Sequence, residues 1–427
     1  MSGIFLLVRR SLRQHVLSTA ITVVSVALAS GLVMAVFSIK TQTHEAFTGG
    51  QIGYDAVLGA RGSQLQLVLN TVFHLETSPG NIPWSLYQDI KKHPMVKLAI
   101  PYALGDNYKG FRIIGTTEQI FTDFEYQEGK QFQVRAGGRF FDPALAEAVV
   151  GSFAAQKLGL KVGDHFQPYH GVDYNANAQH EENFLIVGVL EPTNSPSDRV
   201  FWIPIDGLFR MGGHTLRGQG QDYKPAANQE IPDEHKEASA VMLKFKTEFA
   251  GIMLDQTINH QGKVATLAWP IGKVMAELFE KIGWMDRVLA LVAYLVVLVA
   301  AGSILASIYN TMNERRREFA ILRALGARKH TVFSAIVAEA AAITLLGSLL
   351  GFLVYAAILA GAATVIRAQT GVVLDVFRSG QVAFGPTEVP IVILAPLGMV
   401  LLGALAGVVP AVKAYATDVV SNLTPVS

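Results

Sequence analysis

The chain has no cysteine in its 427 residues, which excludes disulfides, thiolate zinc sites, iron–sulfur clusters and cysteine nucleophiles. Charge is scarce too. Only 16% of residues are Asp, Glu, Lys or Arg, where a soluble domain carries about 25%. Lys and Arg total 35 against 34 Asp and Glu, so no basic excess supports a nucleic-acid partner. Nucleotide motifs are missing as well. Gly129-Lys130, Gly262-Lys263 and Gly272-Lys273 are followed by Gln131, Val264 and Val274, where a P-loop needs Ser or Thr to hold magnesium. The sequence contains no G-x-S-x-G elbow, no H-E-x-x-H pair and no EF-hand loop, and so no recognisable catalytic set.

What is present is apolar sequence. Hydrophobic residues make up 51% of the chain, and four runs reach the length of about 20 residues that a bilayer crossing needs. They are 16–39, 288–311, 332–366 and 389–412. The last contains Pro390, Pro396 and Pro410, tolerable in a span where neighbouring groups satisfy the freed carbonyls. The first has two readings. Arg9, Arg10 and Arg13 precede it, and Ala27-Leu28-Ala29 resembles a signal-peptidase site. The run continues to Ile39, longer than a signal core, which favours an uncleaved anchor.

Loop charges orient the spans by the positive-inside rule. Arg9, Arg10 and Arg13 lie before the first span, and Arg315, Arg316, Arg317, Arg323, Arg328 and Lys329 between the second and third. Segments 1–15, 312–331 and 413–427 are therefore expected in the cytoplasm, and 40–287 and 367–388 outside. Residues 41–287 carry 22 basic and 28 acidic side chains, net −6, and the rest of the chain is net +7.

The outer segment is long enough to bury its own core. Short alternating runs predict strands at 54–58, 111–116, 147–150, 184–190, 200–205 and 241–245, and helices at 84–93, 152–158, 248–259 and 271–282. The expected class is membrane α-helical with four spans plus a large mixed α+β outer domain. Stretches 167–181 and 207–237 are rich in Gly, Asn and Gln and read as loops. Apolar Phe209, Met211, Leu216 and Tyr223 in the longer one are the expected client-contact residues, the alternative being that they fold back onto the domain. The spacing of His165, His170 and His180 fits no standard zinc pattern. Solvated loop histidines are the expected reading, metal binding by imidazole being the lesser alternative, and no metal site is assigned.

Three features of the spans stand out. Glu339 is the one ionisable residue inside an apolar run; it either reaches water at the interface or makes a polar contact between helices or with cytoplasmic machinery. Gly347 and Gly351 form a G-x-x-x-G pair suited to close helix approach. Small-residue clusters at Ala27, Ala29, Ser30 and Gly31 and at Ala300, Ala301, Gly302 and Ser303 are expected at a dimer contact.

The loop and third span read MNERRREFAILRALGARKHTVFSAIVAEAAAITLLGSLLGFLV. This closely resembles the signature of the MacB/FtsX/LolC superfamily of ABC-transporter permeases, through the run from Glu314 to Glu318, the stretch from Ile321 to Ala327, Glu339 and the Gly347/Gly351 pair. The ending PAVKAYATDVVSNL is similar to the family's at Pro410 and Ala411, but has Asp418-Val419 where the family has Asp-Pro. YDAVLGARGS, EAVVGSFAAQKLGLKVGD and FLIVGVLEPT resemble the MacB-type periplasmic core more loosely.

The resemblance implies a permease subunit in the bacterial inner membrane, its large domain in the periplasm. It implies a second permease copy, identical or paralogous, and separate ATPase subunits that hold the ATP and magnesium. The outer domain would then be moved mechanically for export or extraction, with a periplasmic adaptor or client protein as a further partner. The alternative is a non-transporting membrane scaffold relaying signals to a periplasmic partner such as a cell-wall hydrolase. Segment 312–331 is expected to dock the ATPase, with Glu314, Arg315, Arg316, Arg317, Glu318 and Arg323 as charged contacts and Phe319, Ile321 and Leu322 as the apolar face.

Overall fold

The computed structural model describes residues 2–48, 53–212, 216, 218, 230–370, 372–384 and 387–416. They form two compact units: Met1–Thr43 with Ile282–Val365 and Leu374–Ser427, and His44–Lys281 with Ile366–Val373.

Six helices carry the first unit: α1 (Ser2–Gln14), α2 (Val16–Thr48), α3 (Ile271–Glu314), α4 (Arg316–Ala324), α5 (Lys329–Thr370) and α6 (Ile391–Ala416). Helices α2, α3, α5 and α6 are long and apolar enough to cross a membrane. The first three extend beyond the spans read from hydropathy, because helix geometry continues where apolar sequence stops; α6 starts two residues after the expected 389, because Val389 and Pro390 belong to a strand. The expected helix at 271–282 and the second span are one helix, α3. Segment 1–15, expected only as a tail, is the amphipathic α1. The outer loop 367–388 contains the end of α5 and one strand of a hairpin, Gln381–Phe384 paired with Thr387–Pro390.

Val26 and Ala29 of α2, Ala300 and Ile304 of α3, Ile336 and Ala340 of α5, and Met399 of α6 share one buried cluster. Leu298, Leu353, Leu401 and Leu405 point outward, as expected of a surface that faces lipid rather than water. Pro396 and Pro410 sit inside α6; each removes one backbone hydrogen bond.

Glycine decides the closest approaches. A Cβ at Gly347 would lie 2.6 Å from the Val26 Cβ, and one at Gly351 3.0 Å from the Ser30 Cβ. From the other side, a Cβ at Gly31 would meet Val354 at 2.6 Å. The G-x-x-x-G face of α5 is therefore used against α2 of the same chain. This corrects the expectation that Ala27, Ala29, Ser30 and Gly31 wait for a second copy: Ala27, Ala29 and Ser30 are already buried. Gly302 has open space around it.

The second unit is built on a ten-stranded sheet. Its strands are β1 (Ala56–Ala60), β2 (Val96–Tyr108), β3 (Phe111–Thr116), β4 (Glu147–Val150), β5 (His165–Phe166), β6 (Tyr169–His170), β7 (Phe184–Val189), β8 (Phe201–Pro204), β9 (Ala240–Phe245) and β10 (Ala265–Ala268). The spatial order is β10-β1-β9-β2-β3-β8-β4-β7-β5, with β6 on β2. Pairs β3/β8 and β4/β7 are parallel and the rest antiparallel. Phe184, Phe201, Ile113 and Leu243 belong to its core, each burial contributing about 1.5–3 kcal/mol.

The sequence reading lacked β2, the longest strand, β10, and the short β5 and β6, the last of which lies within 167–181, expected as a loop. Pro101 and Gly105 interrupt the β2 pattern, and both read as strand breakers. The helix expected at 248–259 is α-helical only over Glu248–Asp255 and continues as a π-helical turn, Gln256–Gln261.

The 207–237 expectation needs the largest correction. Ile205–Phe209 is a short helix, and Phe209, Met211 and Leu216 are buried in the domain core. They fold back rather than offering a client surface, because the core gains their apolar area. Tyr223 lies outside the described residues.

Candidate coupling site

Helix α3 breaks at Arg315, which precedes α4 with φ −98° and ψ 9°. The break turns the Arg315 side chain inward. Its Nη1 donates to Ser11 Oγ at 2.7 Å and lies 3.3 Å from Glu339 Oε2, while Nε donates to Glu318 Oε2 at 3.1 Å. Ser11 in turn donates to the other Glu339 oxygen, and the guanidinium stands 5.0 Å from the Phe319 ring centroid. Ser11, Arg315 and Glu339 are all buried. The guanidinium thus gives the buried Glu339 carboxyl group a partner within hydrogen-bond reach. Nearby, His15 Nδ1 lies 3.1 Å from Glu314 Oε2.

Glu339 is thus an interhelical contact joining α1, α5 and the start of α4, not a side chain reaching water. Ser11 was missed in the sequence, where 328 positions separate it from Glu339. The available signal was the spacing of Ile4, Val8, Ser11 and Leu12 opposite Arg9, Arg10 and Arg13, which marks one buried helix face.

The cluster divides α4 into two faces. Phe319 and Ala320 are buried, and Leu322 packs on the same core as Val332 and Ile336. Arg315, Phe319 and Leu322, expected to meet a partner, therefore face their own chain. Arg317, Glu318 and Glu314 are exposed, Ile321 is 44% exposed and Leu325 80%. Arg323 is half-buried. Arg316 lies in α4, and its side chain is outside the described residues. The helix ends on Gly326 at φ +98°. There Gly326 N–H bonds Arg323 O and Ala327 N–H bonds Leu322 O. That pattern needs a left-handed residue and holds Leu325 outward.

Family comparison agrees with both units. The MacB-like periplasmic core domain matches residues 19–246, and the FtsX-like permease C-terminal domain matches residues 290–419. The chain belongs to the MacB/FtsX-type permease family. Two solved structures are similar. The periplasmic region of MacB from Actinobacillus actinomycetemcomitans is 12% identical and aligns over 54% of this chain and 94% of that one, with TM-score 0.32. The extracellular domain of the noncanonic ABC-type transporter YknZ from Gram-positive bacteria is 15% identical over 49% and 97%, with TM-score 0.27. Comparison with curated protein sequences gives no match. The permease is a membrane component of an ABC transporter with a MacB-like periplasmic domain, and its family works with an ATPase partner.

Proposed function

We propose that this permease receives the movement of a separate, ATP- and magnesium-binding subunit at α4 and passes it to the outer domain. The work done there is export or extraction of a client from the periplasm or the outer leaflet of the bacterial inner membrane. One observation carries the reading: α4 is fixed on one face by Arg315, Glu339 and Phe319 and bare on the other at Arg317, Ile321 and Leu325. A helix held this way cannot yield locally, so force applied to its bare face is carried into α1 and α5. Apolar Ile321 and Leu325 beside charged Arg317 and Glu318 offer the mixture of anchor and rim found at protein interfaces. A second permease copy has the open face around Gly302 of α3 to pack against.

The test is the double variant Arg317→Glu, Leu325→Asp. It should lose co-purification with the ATPase subunit and stimulation of ATP turnover, with the fold of the outer domain unchanged. Normal assembly and normal stimulated turnover in that variant would remove α4 from the coupling role.

A further inference from the structure

In the outer unit Asp106, His170 and His180 offer Oδ1, Nδ1 and Nε2 within 4.8 Å of one another. We propose that these three residues form a binding site for an exchangeable divalent transition-metal ion of the zinc type.

Backbone hydrogen bonding, not chance side-chain packing, brings the three together. A bulge in β2 between Leu104 and Asp106 re-aims the Asp106 side chain, as bulges commonly do. Asp106 is the direct cross-strand partner of His170 on β6. His170 N–H bonds Ala178 O at 2.7 Å, and His180 N–H bonds Pro168 O at 2.8 Å. These bonds fold the 171–179 turn back so that the second imidazole meets the first. The neighbouring Asn107 Nδ2 donates to Gly171 O at 2.9 Å and to Asp173 O at 3.1 Å, closing the turn.

The geometry suits a metal. Zinc bonds of about 2.0–2.1 Å in a tetrahedron place donor atoms about 3.3 Å apart. Asp106 Oδ1 lies 3.2 Å from His180 Nε2 and 3.4 Å from His170 Nδ1. Two imidazoles and a carboxylate are a donor set for zinc, copper or nickel rather than calcium or magnesium. The Asp106 and His180 side chains are 0% and 6% exposed, while that of His170 is 54% exposed. The ion would enter from the His170 side, and its fourth position would face solvent. Three protein ligands and one open position mark an exchangeable site rather than a closed structural one. Bound there, the ion ties β2 to the 167–181 segment.

The experiment uses the full chain in detergent, stripped with chelator and titrated with Co2+, then with Zn2+ against a chromophoric competitor. Wild type should take up one equivalent per chain, with a visible Co2+ absorption band that Zn2+ abolishes. His170→Ala, at an exposed position, should leave the fold intact and weaken binding by at least about tenfold, the smallest loss usual for disturbing a metal's surroundings. His180→Ala should weaken it further, and His165→Ala should not change it. No stoichiometric uptake by the wild type would overturn the proposal, leaving a hydrogen-bonded trio. Uptake unchanged in folded His170→Ala would overturn it too, placing the ion elsewhere.

Discussion

Each unit of the permease has a buried carboxylate that meets side chains brought from far along the chain. Glu339 in the membrane unit meets Arg315 and Ser11; Asp106 in the outer unit meets His170 and His180. The partners differ in kind. In the first cluster one guanidinium hydrogen-bonds Ser11 and Glu318 and faces Glu339, so it serves as a fastener. The second cluster joins its carboxylate to two imidazoles, the commonest metal ligands, so it can change state by taking up the proposed ion. The same division runs through the sequence: nine of the eleven histidines fall in 40–287.

The strongest way to break this comparison is to remove the fixed charge pair. Glu339→Ala leaves Arg315 buried without its carboxylate, a change that costs about 3–5 kcal/mol where one partner of a buried pair is lost. Thermal unfolding of the full chain in detergent should shift down sharply, and coupling to the ATPase should fall with it. The double variant Arg315→Met, Glu339→Met should recover most of the stability, because an apolar pair of similar volume replaces a buried ion pair at little cost. It should not recover ATPase coupling if Arg315 also holds Glu318 in place. Equal stability of Glu339→Ala and wild type would mean that the cluster fastens nothing.

Much of the membrane unit was legible because lipid imposes long apolar runs. Legibility ended where contacts join distant segments. Arg315 reads as one of the charged contacts to the ATPase, because nothing local in the chain indicates that α3 breaks there and turns it toward Glu339. Phe319 and Leu322 fitted an amphipathic helix, but periodicity alone cannot say which face another element covers. In the outer unit the local strands at 111–116 and 147–150 were read with their observed bounds. Strand β2 was not, because a bulge and two breakers obscure its alternation. The Asp106 cluster was invisible for the same reason: His170 and His180 lie close in sequence, but their carboxylate partner sits on a strand the pattern hid.

A smaller effect tests whether the fastening extends along α5. Gly347→Val places methyl groups where Val26 of α2 already stands, 2.6 Å from the position of a Cβ. Overpacking of this kind costs about 1–3 kcal/mol. Gly302→Val, with open space around the residue, should leave the isolated chain nearly unchanged and act, if at all, on association of two copies. Comparing unfolding temperature with cross-linking yield in the two variants separates packing within the chain from packing between chains. Equal loss of stability in both would contradict the placement of α2 against α5.

The smallest effect sharpens the responsive side of the comparison. His74 lines a small cavity with Tyr54, Tyr102 and Thr71. Burial, and then the Arg112 charge, lower its pKa to about 3, against about 6.5 in an unfolded chain. Between those values the unfolded chain binds a proton that the native domain refuses. Stability from this residue is therefore full above pH 6.5 and is lost as pH falls through the window toward 3, by at most about 1.4 kcal/mol per pH unit. The ring is only half-buried by surface area, which makes that figure an upper limit. His74→Asn suits the φ of +58° at this position, because Asn tolerates the left-handed region, and it cannot titrate. The wild type should lose more of its unfolding temperature than His74→Asn between pH 7.5 and pH 5. Arg112→Gln should narrow the gap by raising the pKa of His74, since removing a facing cation makes the protonated ring less costly. Parallel pH profiles for wild type and His74→Asn would show that this imidazole titrates alike in both states.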